Sequence, residues 1–135
     1  MKELVVKTHS RVELIDITSE VNAVIRDTMM DEGVAYLFVP HTTAALTVNE
    51  NADPSVRADI AWFSSKLVPN LPDFKHLEGN SDSHIKTSLF GVSLMVPVKN
   101  SSLYLGRWQG VYLVEFDGPR VRKVWLNLYR LKSII

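Results

Sequence analysis

The sequence predicts an α+β domain with a mixed, mostly antiparallel sheet, two main helices and one short helix. Three observations carry this. Up to Gly91, short apolar strand-like runs are interleaved with two segments of helical spacing. After Gly91, only runs rich in Val, Leu, Tyr and Trp follow, joined by short connections. The helix-length crossovers that an all-parallel sheet needs are therefore missing there.

The elements follow in order. Residues 4–7 and 12–17 read as short strands, the second with apolar side chains mostly on alternate positions, and residues 9–11 as the turn between them. Thr18 is a suitable N-cap, with Glu20 in the first turn where the helix dipole favours an anion. Val21, Val24, Ile25, Thr28 and Met29 continue at helical spacing, and Gly33 is the expected stop. The continuous apolar run 34–39 reads as a central strand closed by Pro40, and 44–48 as another strand. Asp53-Pro54 is a strong helix start, because Asp caps and Pro fits the first helical position. Val56, Ile60, Phe63 and Leu67 mark one face of that helix, and Pro69 stops it. Residues 69–82 form a long polar loop, of the kind that more often serves function than idles. A short helix from 83 to 90, ended by Gly91, comes next. Residues 92–98, 103–105, 110–116 and 121–131 are the closing strands, with Asp117-Gly118-Pro119 as the last turn.

At 135 residues the chain is one domain, 1–135, large enough to fold without staples. Fifteen Lys and Arg balance fifteen Asp and Glu, so no whole-protein basic field exists for nucleic acid. Arg120-Val121-Arg122-Lys123 is too short a basic run to supply one, and on a strand it splits between two faces. A net charge of zero does little to keep subunits apart, and a defined oligomer is expected. Absence of cysteine removes disulfides, thiolate metal sites and Cys nucleophiles together. No apolar run reaches the ~18 residues that span a bilayer, and the first residues lack a signal-peptide pattern, so the expected compartment is the cytoplasm.

Polar side chains gather in three places: Pro40-His41-Thr42-Thr43 with Asn49-Glu50-Asn51 and Asp53; His76 through Lys86; and Gly106-Arg107-Trp108-Gln109 with Asp117-Gly118-Pro119-Arg120. His41 follows a buried-looking strand and reads either as a hydrogen-bonded edge histidine or as a metal ligand or base. His76 and His84 lack zincin-type spacing, but with His41 three imidazoles suit Zn²⁺ or a similar metal with an open position for water. Asn80-Ser81-Asp82-Ser83 is either plain helix capping or, with Lys86, a phosphate site at a helix N-terminus. Glu50 and Asp53 read as a carboxylate pair or, for Asp53, as a cap alone. Arg107 and Arg120 read as anion clamps or as surface ion pairs.

Four stretches together resemble the YjbQ family of small proteins. They are His41-Thr42-Thr43-Ala44-Ala45-Leu46-Thr47-Val48-Asn49-Glu50-Asn51-Ala52-Asp53, Gly79-Asn80-Ser81-Asp82-Ser83-His84-Ile85-Lys86, Leu105-Gly106-Arg107-Trp108-Gln109-Gly110 and Glu115-Phe116-Asp117-Gly118-Pro119-Arg120. They run in order through almost the whole chain. Arg107 departs from the pattern, which has a small residue or Thr before the Trp. The resemblance implies a homotrimer with a pocket near subunit contacts, lined by His41, His76 and His84. It also implies a weak thiamine-phosphate synthase activity, joining an aminopyrimidine diphosphate to a thiazole phosphate with release of diphosphate.

On that basis the expected catalytic residues are His41, Glu50, Asp82 and Lys86, with Lys86 and the amides near Ser83 on the leaving diphosphate. Asn49, Asn80, Ser81, Ser83 and Arg120 are the expected phosphate ligands. His41, His76 and His84 are the expected holders of a divalent metal, zinc or magnesium. Two alternatives stand beside this: a metal-dependent hydrolase with Glu50 as base, and a non-catalytic trimeric module that binds an anionic metabolite. The expected partner is a small phosphate compound, with neither nucleic acid nor membrane.

Overall fold

Two antiparallel sheets and three helices make up the computed structural model, which describes residues 1–130 and 132–135. The elements are β1 (Lys2–Lys7), β2 (Glu13–Asp16), α1 (Thr18–Asp27), β3 (Gly33–Phe38), β4 (Ala44–Glu50) and α2 (Pro54–Leu67). They continue with α3 (Ser81–Phe90), β5 (Ser93–Lys99), β6 (Ser102–Leu103), β7 (Gln109–Glu115) and β8 (Val121–Tyr129). One sheet runs β1-β8-β3-β5-β6 and the other β2-β7-β4. Every ladder is antiparallel, so the α+β class and the antiparallel sheet expected from the sequence both hold.

Period-two alternation explains how two sheets share one core. Ala35, Leu37, Val124 and Leu126 of the larger sheet meet Leu46, Val111 and Leu113 of the smaller, with Val21 and Ile25 of α1 closing one end. The intervening residues of the smaller sheet, Ala45, Tyr112 and Val114, with Phe116 just past β7, point the other way, against Ile60 and Ala61 of α2 and Phe90 of α3. β7 is thus buried on both faces, as its nearly unbroken apolar run requires.

Three details differ from the sequence reading. Thr18 is the first residue of α1 rather than its cap. The Asp16 carboxylate accepts from Thr18 N at 2.9 Å and from its hydroxyl at 2.6 Å, and so does the capping. Helix α1 stops at Thr28, whose hydroxyl donates to Ile25 O, and Gly33 opens β3 instead of ending the helix. A Cβ on Gly33 would lie 2.1 Å from the Tyr129 carbonyl oxygen, so close approach to β8 demands glycine there. Helix α3 starts at Ser81 and equals α1 at ten residues, so it is not the minor helix expected. Asp53 caps α2 through Ser55 N at 2.9 Å, as its sequence requires. The expected end of the last strand at Leu131 lies outside the described residues.

The connections matter most for the site. β7 and β8 are joined by five residues yet lie in different sheets. The β3–β4 connection also crosses between sheets. Both crossings come to one end of the domain, beside α3.

Candidate functional site

Three segments converge at that end. The β3–β4 loop brings Pro40, His41, Thr42 and Thr43. The loop before α3, with α3 itself, brings His76, Glu78, Asn80 and His84. The β7–β8 connection and the start of β8 bring Asp117, Arg120 and Arg122. Together they line a polar basin of about 430 Å³. Asn80 and His84 share a face of α3 because residues four apart stack on a helix. His76 and His84 meet edge to face, with ring centroids 5.3 Å apart. The sequence-predicted histidines therefore come together in one basin.

His41 is held in a defined state. Its Nε2 accepts the backbone N–H of Lys123 at 2.9 Å. A protonated Nε2 would face that N–H donor to donor, so the proton of the neutral ring sits on Nδ1. Burial, and then the Arg122 charge, push its pKa below the usual histidine value. His41 thus enters the site as a neutral Nδ1–H donor.

Beneath the basin lies a buried ion pair. Glu115 is fully buried, and its carboxylate accepts Arg122 Nε at 2.9 Å, the Thr8 hydroxyl at 2.8 Å and Asp117 N–H at 3.1 Å. Arg122 Nη2 also donates to the Thr43 hydroxyl at 2.8 Å and to its carbonyl at 3.1 Å, which ties the histidine loop to β8. Burial raises the Glu115 pKa, but the Arg122, Asp117 and Thr8 hydrogen bonds overcome it and hold the carboxyl below its usual value. Asp117 is likewise lowered, by Asn80 and Arg120 against burial. Arg120 donates to Asp117 Oδ2 at 2.8 Å and keeps half of its side chain in solvent.

The other expected site residues are elsewhere. Asn49 and Glu50 sit at the far end of β4, six and seven residues from Thr43, or ~20 Å along an extended strand. Asp82 and Lys86 stand two residues on from Asn80 and His84, so the helix turns them about 200° away from the basin. They form a buried pair at 3.2 Å, with Arg11 completing it at 3.1 Å and the Lys86 Nζ 5.5 Å from the Phe116 ring centre. Burial raises the Asp82 pKa, and Arg11 and Lys86 hold it below its usual value all the same. Ser83 is fully buried and donates to Phe116 O at 2.6 Å. Ser81 opens α3 outside the basin. Of the expected phosphate ligands, Asn80 and Arg120 line it.

The three-histidine metal set does not fit this geometry. The described residues contain no cluster of three or more His, Asp or Glu placed to hold a metal ion. The physical reason lies at His41. Its Nε2 lone pair is committed to Lys123, and using Nδ1 as well would require an imidazolate.

Arg122 and Glu115 were invisible as site residues from composition alone. Their signal is phase. Arg122 is in step with Val124 and Leu126, and Glu115 with Val111 and Leu113, so each places a charge on a core-facing row. Opposite charges in core phase on consecutive strands mark a buried pair.

The fold and basin define a small two-sheet α+β protein with a histidine-lined cleft at the sheet crossings. Residues 2–130 match the family described as UPF0047 protein YjbQ-like, and the chain belongs to that family. A UPF0047 protein of Methanocaldococcus jannaschii is 49% identical over 91% of this chain and 89% of its own length. UPF0047 protein YugU of Bacillus subtilis is 44% identical over 95% of this chain and 98% of its own. A crystal structure of a YjbQ/UPF0047 protein from Clostridium acetobutylicum superposes with a TM-score of 0.92 at 46% identity, covering 96% of this chain and 100% of that one.

These comparisons correct the functional expectation. The relatives carry only the family designation, and the Clostridium structure is described as uncharacterized. Nothing in them supports thiamine-phosphate synthesis, metal-dependent hydrolysis or a non-catalytic binding module, and those readings are withdrawn. No helix among the described residues is long and apolar enough to cross a membrane.

Proposed function

We propose that the basin is the active site of a small-molecule enzyme that binds a phosphorylated compound and works by histidine acid–base chemistry. The observation that carries this is the convergence of His41, His76 and His84 with Arg120 in one polar basin. Arg120 retains exposed guanidinium donors for an anion. The N-terminus of α3, whose cap Asn80 makes no capping hydrogen bond to it, adds backbone N–H groups and a favourable dipole. His41 donates through Nδ1 as a fixed neutral group. His76 and His84, in edge-to-face contact, are the pair we assign to proton transfer. The chemistry needs no step through a metal, since the donor set does not fit one.

Titration with inorganic phosphate, read through the histidine ring C–H resonances, tests this. Shifts in His41, His76 and His84 that vanish in Arg120→Met are the expected result. Phosphate that leaves all three unmoved overturns the reading.

We also propose a cytoplasmic homotrimer. Trp62, Phe63, Leu67 and Leu89 are exposed on α2 and α3, apolar surface of the kind that a neighbouring subunit covers. Light scattering should give three times the 15.3 kDa chain mass, and a monomer at micromolar concentration overturns it.

A further inference from the structure

Arg120 is the half-exposed cation of the basin, and a neighbour sets its aim. Its Nε donates to the Asp117 backbone carbonyl at 2.7 Å, and its Nη2 donates to Asp117 Oδ2 at 2.8 Å. Two of the five guanidinium N–H groups are thus spent on one residue, and the rest stay available to an anion. The residue that holds Arg120 is held in turn. Asp117 N–H donates to the buried Glu115 carboxylate, and Asn80 Nδ2 donates to Asp117 Oδ2 at 2.8 Å. Both side-chain donors therefore meet the same carboxylate oxygen.

Asn80 gives up an ordinary role to do this. It stands at the N-cap of α3, where an Asn carbonyl oxygen normally accepts a first-turn N–H. Its side chain makes no capping bond, and its Oδ1 is buried without a hydrogen-bond partner among the described residues. Turning the amide over would set Oδ1 against a carboxylate that only accepts, so Asp117 fixes which way it points. Burial raises the Asp117 pKa, and the Asn80 and Arg120 bonds hold it below its usual value all the same. A local rule broken beside a binding basin marks a group held in place for function. Charge does not explain the choice of Asp117, because a carboxylate beside an anion repels it. Geometry does.

We propose that Asp117 is the positioning residue of the anion site, acting through Arg120 by fixing its guanidinium toward the basin. This rests on the phosphate reading of the basin and names what aims its cation. Without the carboxylate, Arg120 keeps only the backbone carbonyl, and its outer nitrogens are loose in solvent.

The test is calorimetry with inorganic phosphate on the full chain, on Asp117→Ala and on Asp117→Asn. Asp117→Ala should bind phosphate about tenfold more weakly, although it removes a negative charge from the basin. Asp117→Asn can still present one oxygen to both donors, so it should match or exceed the parent. NMR relaxation at Arg120 Nε should show a mobile guanidinium in Asp117→Ala and an ordered one in Asp117→Asn. Circular dichroism checks that both variants fold. Asp117→Ala binding as tightly as the parent, or Asp117→Asn weakening along with it, overturns the positioning role while the phosphate site stands. A parent that binds no phosphate overturns both.

Discussion

Replacing Glu115 by Leu removes the carboxylate under the basin and strands a guanidinium. Arg122 has a side chain only 5% exposed, and Glu115 is its sole carboxylate partner among the described ion pairs. Thr43 still offers two oxygens to Nη2, but Nε loses its acceptors. Asp117 N–H loses its acceptor as well, while the Thr8 hydroxyl keeps Arg120 O at 3.0 Å. Breaking a buried pair from one side costs ~3–5 kcal/mol. With a urea slope of ~1.5 kcal/mol/M, that lowers the midpoint by about 2–3 M. Arg122→Met strands the carboxylate instead, which can escape by protonation, so its cost should shrink as pH falls from 7 to 5. The double variant Glu115→Leu/Arg122→Met removes both charges and should be more stable than Glu115→Leu alone, even after loss of the Thr43 bonds. Urea unfolding by circular dichroism at one fixed protein concentration measures all four proteins. A Glu115→Leu cost below ~1 kcal/mol, or a double variant no better than that single, refutes the reasoning.

Other outcomes are expected. Asp53→Ala should destabilise by ~1 kcal/mol in urea unfolding, because it removes the cap on Ser55 N. Gly33→Ala should cost at least ~2 kcal/mol, since its Cβ meets a backbone carbonyl that cannot step aside. His41 titrates lower in the folded chain than in the unfolded one, so the unfolded state takes the proton first as pH falls. Its contribution to stability should be full above pH ~6.5 and be lost as pH drops through the lower folded value. The difference in urea midpoint between the parent and His41→Asn should therefore narrow in acid, and a pH-independent difference excludes the neutral donor state.

Most elements were legible because their causes are local. Asp53-Pro54 fixes the start of α2, and the run rich in Val, Leu and Tyr at 110–116 fixes β7. Sheet membership was not legible. β7 and β8 look like a hairpin, with five residues containing Gly118-Pro119 between them, yet they belong to different sheets. Local patterning cannot reveal that, because partner choice is set by which faces bury together. The same limit applied to the site. The histidines were found by residue type, and their meeting depends on the sheet crossings. Lys86 and Asp82 were misplaced because a helix turns residues two apart to opposite sides, so a motif contiguous in sequence is split between basin and core.

The crossings explain why stability and chemistry share residues here. A chain that leaves one sheet for another interrupts its ladder and frees backbone groups that must find partners. At this seam Arg120 N–H donates to the Thr8 hydroxyl at 2.7 Å, Thr8 N–H donates to Arg120 O at 2.9 Å, and Thr43 O takes Phe116 N–H at 3.1 Å and Arg122. Glu115 and Arg122 fasten β7 to β8 where no ladder does. The polar side chains needed to close the seam also fix Thr43, and Arg122 adds to burial in keeping His41 neutral, against Glu115. Substitutions at Glu115 or Arg122 should therefore move His41 titration and chain stability together. His41→Asn, which leaves the seam pair intact, should alter the basin and spare most of the stability. A His41 resonance that titrates identically in the parent and in Arg122→Met would separate the seam from the site.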